Sequence, residues 1–283
     1  MDKIQAAIAK ARANRDASGG HDKARRTVSR VLDKSEQARS SELVTVDRET
    51  IWKSLRTCEP APRQMARQRV VTFGSQNQAS PEAIAFGMLR TKVLHQMRLN
   101  GWRRLAITSP NASCGKSTVV LNLAFALARQ PELHTIVAEI DMRRPSLAKT
   151  LGVHGEASFS DVMTGKADFG DMGVCPRPNL AFGLNYTRAE NPAELLQSSA
   201  IVPALTQIED RYTPDLMIFD LPPMLDSDDA MGFLDQVDCV LLVAAAGETS
   251  LREIDVCEQD LSAQTNVLGV VLNKCRYMDD DVN

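Results

Sequence analysis

The amino-acid sequence predicts an α/β protein with a doubly wound, mostly parallel sheet flanked by helices. Three observations predict it. Short, nearly continuous apolar runs recur, among them RLAITS, HTIVAEI, LMIFDL, CVLLVAA and VLGVVLN. Strands look like this when both faces of their sheet are covered. Helical segments alternate with these runs, as expected for a parallel sheet. Between the first run and the next helix lies SPNASCGKST, a loop that ends in Gly115-Lys116-Ser117-Thr118.

The elements follow in order. Residues 1–15 read as a short helix, with Ile4, Ile8 and Ala11 at helical spacing. Residues 16–41 are polar, contain Gly19-Gly20, and read as a flexible linker, so the N-terminal extension is expected to be partly disordered. LVTVD (43–47) and RVVTF (69–73) look like short strands or extended segments. A helix opens at Pro81-Glu82, residue types favoured in a first turn. Strands are then expected at 104–109, 134–140, about 215–220, 239–245 and 267–273, with a helix from Lys116 to about Arg129. This divides the chain into an N-terminal segment, 1–80, a body, 81–276, and a short acidic tail, 277–283. In such sheets ligands bind beyond the C-terminal ends of the strands.

Charge is unevenly distributed. Residues 1–70 carry 16 Lys and Arg against 9 Asp and Glu, and the remainder 17 against 27, so a basic arm precedes an acidic body. With the body acidic, no nucleic-acid partner is expected; the arm reads as a tether or a contact for a membrane partner. The six cysteines form no CxxC pair, which argues against a zinc or iron–sulfur centre. No secretory leader is recognisable, and the longest apolar run is too short to span a bilayer. A cytoplasmic protein is expected, recruited to the inner face of the membrane only through a partner.

The loop carries the chemistry. A phosphate site needs backbone N–H groups converging at a helix N-terminus, a lysine for the outer phosphates and a hydroxyl for magnesium. Ala112, Ser113, Cys114, Gly115 and Thr118 supply the cradle, Lys116 the cation and Ser117 the hydroxyl. Pro110 stands where a glycine is usual, and Ser113 replaces another, so a positive φ at Ser113 is expected to cost energy. Cys114, near a helix N-terminus, is a candidate oxidisable thiol. Asp141 and Asp220 each end an apolar strand. Either could be a plain helix cap, but both beside a phosphate loop suit a shared cation site.

The set SPNASCGKST, VAEIDMRRPSL and IFDLPPMLDSDDA resembles the bacterial P-loop tyrosine kinases of capsule and exopolysaccharide synthesis. FSDVMTGKADF, NPAELLQSS, VDCVLLVAAAGETSLREI and NVLGVVLNKC are similar as well, so the resemblance covers roughly residues 80–276. It implies a P-loop NTPase fold, ATP as phosphoryl donor with Mg2+, and autokinase activity. It also implies a transmembrane polysaccharide co-polymerase, a chain-length regulator, whose cytoplasmic segment is the partner. By the resemblance Lys116 cradles the phosphates, Ser117 and Asp220 hold magnesium, and Asp141 assists the metal. Glu139 takes the place of an aspartate that activates the tyrosine hydroxyl, and Asn273 that of an adenine-contacting asparagine.

Three departures stand out. Glu139 is one methylene longer than the family's aspartate. Of the family's Glu-x-x-Arg-x-x-Arg ring motif only Arg90 remains, with Ile84 and Gly87 at the other positions, so the motif does not support ring assembly, and self-association as dimers or partner-dependent assembly stays open. Of Tyr186, Tyr212 and Tyr277 only Tyr277 lies in the tail, making it the candidate phosphoacceptor. Two alternatives stay open: a non-kinase ATPase switch, disfavoured by the lack of a lysine in Pro110-Asn111-Ala112, and a nucleotide-sensing scaffold of the polysaccharide machinery.

Overall fold

The protein is represented by a computed structural model that describes residues 48–74 and 80–275. The readings made for 1–15, 16–41, 43–47 and Tyr277 lie outside the described residues.

The central layer is an eight-stranded sheet. Its strands are β1 (Arg56–Thr57), β2 (Arg104–Thr108), β3 (Thr135–Glu139), β4 (Val174–Arg177), β5 (Leu180–Gly183), β6 (Leu216–Asp220), β7 (Cys239–Ala245) and β8 (Asn266–Asn273). They lie in the order β1-β4-β5-β3-β6-β2-β7-β8, and every neighbouring pair is parallel except β4 and β5. The five strands expected from residue 104 onward are all present. The mostly parallel expectation is met, with one antiparallel hairpin that the sequence did not reveal. Two four-residue strands, one broken by Pro176 and the other starting just after Asn179, carry too little pattern to be recognised.

Alternate residues of each central strand enter opposite layers, because strand side chains have a period of two. Ala106, Ile136, Ala138, Val240 and Leu242 join one core with Phe159, Phe219 and Phe233. Leu105, Ile107, Val137, Leu241 and Val243 join the other with Val120, Phe125 and Met97. Both sides being covered, the strands read as unbroken apolar runs.

The second face is covered by α2 (Pro81–Asn100) and α3 (Lys116–Leu127). α2 begins as its sequence indicates: Pro81 takes the first helical position and the Ser80 hydroxyl accepts from Ala83 N at 3.2 Å. Gly101, at φ 69°, ends it. The first face is covered in part by α8 (Ile201–Tyr212) and α9 (Leu251–Ser262). Shorter helices intervene: α1 (Pro62–Arg67), α4 (Leu147–Leu151), α5 (Phe159–Met163), α6 (Phe169–Met172) and α7 (Pro192–Leu196).

The body extends further toward the N-terminus than residue 81. Trp52 is buried, its Nε1 donating to the Tyr212 carbonyl at 2.8 Å, and β1 pairs with β4. RVVTF is not a strand. Arg69 has φ 56°, and the chain turns against α3. Buried Asn122 does what a neighbouring strand would have done. Its Oδ1 accepts from Val71 N and Thr72 N, and its Nδ2 donates to the Arg69 carbonyl.

Candidate active site

Register brings the site together. β3, β6 and β2 are consecutive at the centre of the sheet, with Glu139 opposite Asp220 and Ile107 opposite Asp220. The ends of β3 and β6 and the loop after β2 therefore emerge side by side, with α3 starting from that loop.

The loop takes the shape its composition foretold. Ser113 has φ 66° and Gly115 φ 90°. The Ser113 conformation is one that a residue with a Cβ adopts at a cost. Gly115 is constrained twice. Beyond its φ, a Cβ there would lie 2.3 Å from Asn273 Nδ2. That nitrogen donates to the Cys114 carbonyl at 2.9 Å, so Asn273, at the end of β8, braces the loop from the side. Gly115→Ala is expected to push Asn273 off and distort the cradle. Titration with a fluorescent ATP analogue should show at least a tenfold weaker Kd, and an unchanged Kd would refute the bracing role. Asn111 Nδ2 donates to Glu253 Oε1 at 2.6 Å, tying the loop also to α9. Cys114 is buried, its Sγ 3.6 Å from Thr249 Oγ1. It is core packing rather than an exposed thiol.

Lys116 reaches across to both carboxylates. Its Nζ lies 2.8 Å from Asp141 Oδ2 and 3.4 Å from Asp220 Oδ1, and 3.4 Å from Ser117 Oγ. All three charged groups are buried. Burial opposes the lysine's charge, but Asp220 and Asp141 outweigh it and hold its pKa above the ordinary value. Burial pushes the Asp220 carboxyl up, against the pull of Lys116.

Glu139 is fully buried beside them. Its Oε1 accepts from Ser146 N at 2.6 Å and Leu147 N at 2.8 Å, where α4 starts, and its Oε2 accepts from Asn185 N at 2.9 Å. Burial nevertheless pushes its carboxyl up to about 7, with the three N–H donors opposing. Both oxygens are thus engaged by backbone donors. Asn185 also donates from Nδ2 to the Glu139 carbonyl at 2.7 Å.

Two ion pairs stitch the β3 and β6 loops together. Arg143 Nη2 donates to Asp229 Oδ1 at 3.0 Å, and its Nε to Asp229 Oδ2. Arg144 Nη2 lies 2.6 Å from Asp226 Oδ2, while Arg144 N donates to Asp141 Oδ1 at 3.1 Å. The sequence reading passed over these arginines and over Asn185. The opposed charges of DMRRPSL and DSDDA were the signal for the first, and nothing local marks the second. Arg90, the remnant of the ring motif, donates to the Ala126 carbonyl on α3 at 3.3 Å and so serves this subunit's own packing.

The residues fit a magnesium nucleotide. Asp220 Oδ2 is buried with no hydrogen-bond partner, and Lys116 offsets only half the charge of the Asp141–Asp220 pair. The loop cradle admits no Cβ at Gly115. Among the described residues no three His, Cys, Asp or Glu side chains converge as a metal site. Magnesium needs no such cage, since it keeps several waters and takes one or two carboxylates plus phosphate oxygens.

No protein-family model matches the chain. Tyrosine-protein kinase wzc of Salmonella typhi is 27% identical over 216 residues, covering 75% of this chain and 29% of that protein. The chain therefore spans less than a third of the length of the first such relatives. Tyrosine-protein kinase CpsD of Streptococcus agalactiae is 28% identical over 193 residues, covering 67% of this chain and 81% of the relative. The crystal structure of the VpsO kinase domain is 26% identical, with a TM-score of 0.62 over 72% of this chain and all of that one. Nucleotide- and magnesium-bound proteins of the same P-loop fold are also among its structural neighbours. Among the described residues no helix is long and apolar enough to cross a membrane.

Proposed function

We propose that this chain, a member of the bacterial tyrosine-protein kinase family, transfers the γ-phosphoryl group of ATP to tyrosine hydroxyls and thereby regulates exopolysaccharide or capsule polymerisation and export. The observation that carries the reading is the contact of Lys116 with Asp141 and Asp220, at adjacent strand ends beneath a helix-opening loop. The likeness to CpsD and wzc, both named as tyrosine-protein kinases, supports a tyrosine acceptor.

In the nucleotide-free state Lys116 lies between the two carboxylates and offsets half of their charge. On ATP binding it turns to the phosphates, drawn by their larger charge, while the N–H groups of 112–118 cradle them. Ser117 and Asp220 would hold Mg2+, with Asp141 beside them, and the ion would neutralise charge building on the transferred group. A bond forms between the tyrosine oxygen and the γ-phosphorus as the bond to the ADP oxygen breaks. The tyrosine proton passes to Asp141, the carboxylate that Lys116 has left. Glu139 acts by position, holding the Ser146–Leu147 turn and Asn185 around the end of β3. Asn273, bracing the loop, stands at the adenine side.

The partner is the cytoplasmic segment of a transmembrane polysaccharide co-polymerase, which brings the kinase to the inner face of the membrane. The test is incubation of the purified chain with Mg2+ and ATP, with and without that segment, and mass spectrometry for phosphotyrosine. Phosphotyrosine at Tyr277 or on the partner is expected. ATP hydrolysis without phosphotyrosine would replace the kinase by an ATPase switch, and neither activity would leave a nucleotide-sensing scaffold.

A further inference from the structure

We propose that Arg144 reads acidic residues that follow the acceptor tyrosine, making this a kinase for acid-flanked tyrosines. The proposal rests on the kinase reading.

The two arginines after β3 are bound differently. Arg143, itself 48% exposed, grips both oxygens of Asp229, a carboxylate only 1% exposed, so the buried carboxylate cannot leave that pair for water. Arg144 and Asp226 are 45% and 33% exposed, and a single guanidinium nitrogen makes the contact. Such a pair is weak and open to exchange with another carboxylate. Arg144 is also tied to the reaction centre through its backbone, where its N–H holds Asp141 Oδ1. Its backbone is therefore fixed at the carboxylate proposed to receive the tyrosine proton, which keeps its guanidinium within one arginine side chain's length of that carboxylate.

What it holds now is Asp226, the first residue of a short acidic run, Asp226-Ser227-Asp228-Asp229, that follows Met224-Leu225. The sequence around the candidate acceptor is Tyr277-Met278-Asp279-Asp280-Asp281. The internal run thus presents to Arg144 the same chemistry that would follow an acceptor tyrosine: an apolar residue, then carboxylates. An incoming acidic segment displaces Asp226 from Arg144, and Asp226, already a third exposed, returns to water at little cost. Arg143 keeps the β6 loop in place during the exchange.

The experiment uses the full chain with Mg2+ and ADP, and fluorescent peptides of sequence KCRYMDDDVN and KCRYMNNNVN. Binding is read by anisotropy, and phosphorylation in parallel with ATP. The acidic peptide is expected to bind about tenfold more tightly at low salt, with the preference shrinking as salt rises. Arg144→Ala should abolish the preference while leaving ADP affinity unchanged. Arg144→Glu should reverse it toward KCRYMKKKVN, an inversion that a merely structural role would not produce. Equal binding of the two peptides, or a preference that survives Arg144→Ala, would overturn the proposal. A binding preference without phosphotransfer to either peptide would instead count against the kinase reading. Phosphorylation of Tyr277 in a Lys116→Met chain by added wild type would identify a second copy as the source of the acidic segment. Labelling confined to a partner protein would place the source there, with the preference for acidic residues still required.

Discussion

Lys116→Met should abolish phosphotransfer and, in the nucleotide-free protein, lower stability by about 3–5 kcal/mol, the usual cost of removing one partner from a buried ion pair. The second effect follows from where Nζ lies. It is the cation within 3.4 Å of two buried carboxylates, 2.8 Å from one and 3.4 Å from the other. Without it Asp141 and Asp220 face each other across a low-dielectric gap. Millimolar Mg2+ should restore part of the loss, because a divalent cation can take the lysine's electrostatic place, and anything that binds only the folded state stabilises it. In the wild type the same Mg2+ should do little, since Lys116 competes for Asp220. Thermal melts of both proteins with and without Mg2+ decide the matter. An equal rise in Tm for wild type and variant would show that Lys116 and the cation do not share a site. A lysine substitution used only as an inactive control would therefore mislead unless its folding were measured too.

Glu139→Gln separates two roles for that residue. A proton acceptor lost from a reaction costs about 10²–10⁴-fold in rate. If Glu139 acts through position, the glutamine keeps a carbonyl oxygen for Ser146 and Leu147, and the rate should fall by less than about tenfold. Stability gives an independent signature. The carboxyl is held at about 7 against an ordinary 4.5. The folded protein thus retains this proton where the unfolded chain has lost it. The stability it contributes is fully present below pH 4.5 and is lost as pH rises through 7, by about 3 kcal/mol at 1.36 kcal/mol per pKa unit. Denaturant melts from pH 4.5 to 8 should show that decline in the wild type and a flatter curve in Glu139→Gln, leaving the variant the more stable of the two near pH 8. A variant less stable at every pH would mean that the three N–H donors outweigh burial.

The centre of the fold was legible because parallel strands buried on both faces leave unbroken apolar runs, and each was long enough to see. The loop was legible because a glycine-lysine-serine sequence between a strand and a helix has few other uses. The Ser113 strain was foreseeable from one missing glycine. Other features were not. β1 is two residues long, β4 and β5 four each, and no period can be read from so little. RVVTF has a strand's composition, yet one buried amide, Asn122, bends it into a turn, and a sequence does not announce a contact 51 residues away. Glu139 was visible as an acid at a strand end. That its oxygens meet the start of α4 and Asn185 depends on a crossing of segments that only the fold creates.

The position of β8 has a consequence for which tyrosine can be modified by which site. Asn273, its last residue, is fixed to the phosphate loop, and Tyr277 follows four residues on. Four residues form a leash of at most about 14 Å even when fully drawn out. From β8 to β3 there are four strand intervals, about 19 Å at about 4.8 Å each. Held at one margin of the site, even a taut leash leaves the Tyr277 backbone short of the end of β3, and the route there runs straight over the nucleotide site. A tyrosine offered by a second molecule carries no such restraint, so phosphorylation of Tyr277 should accelerate with protein concentration rather than proceed at a fixed fractional rate.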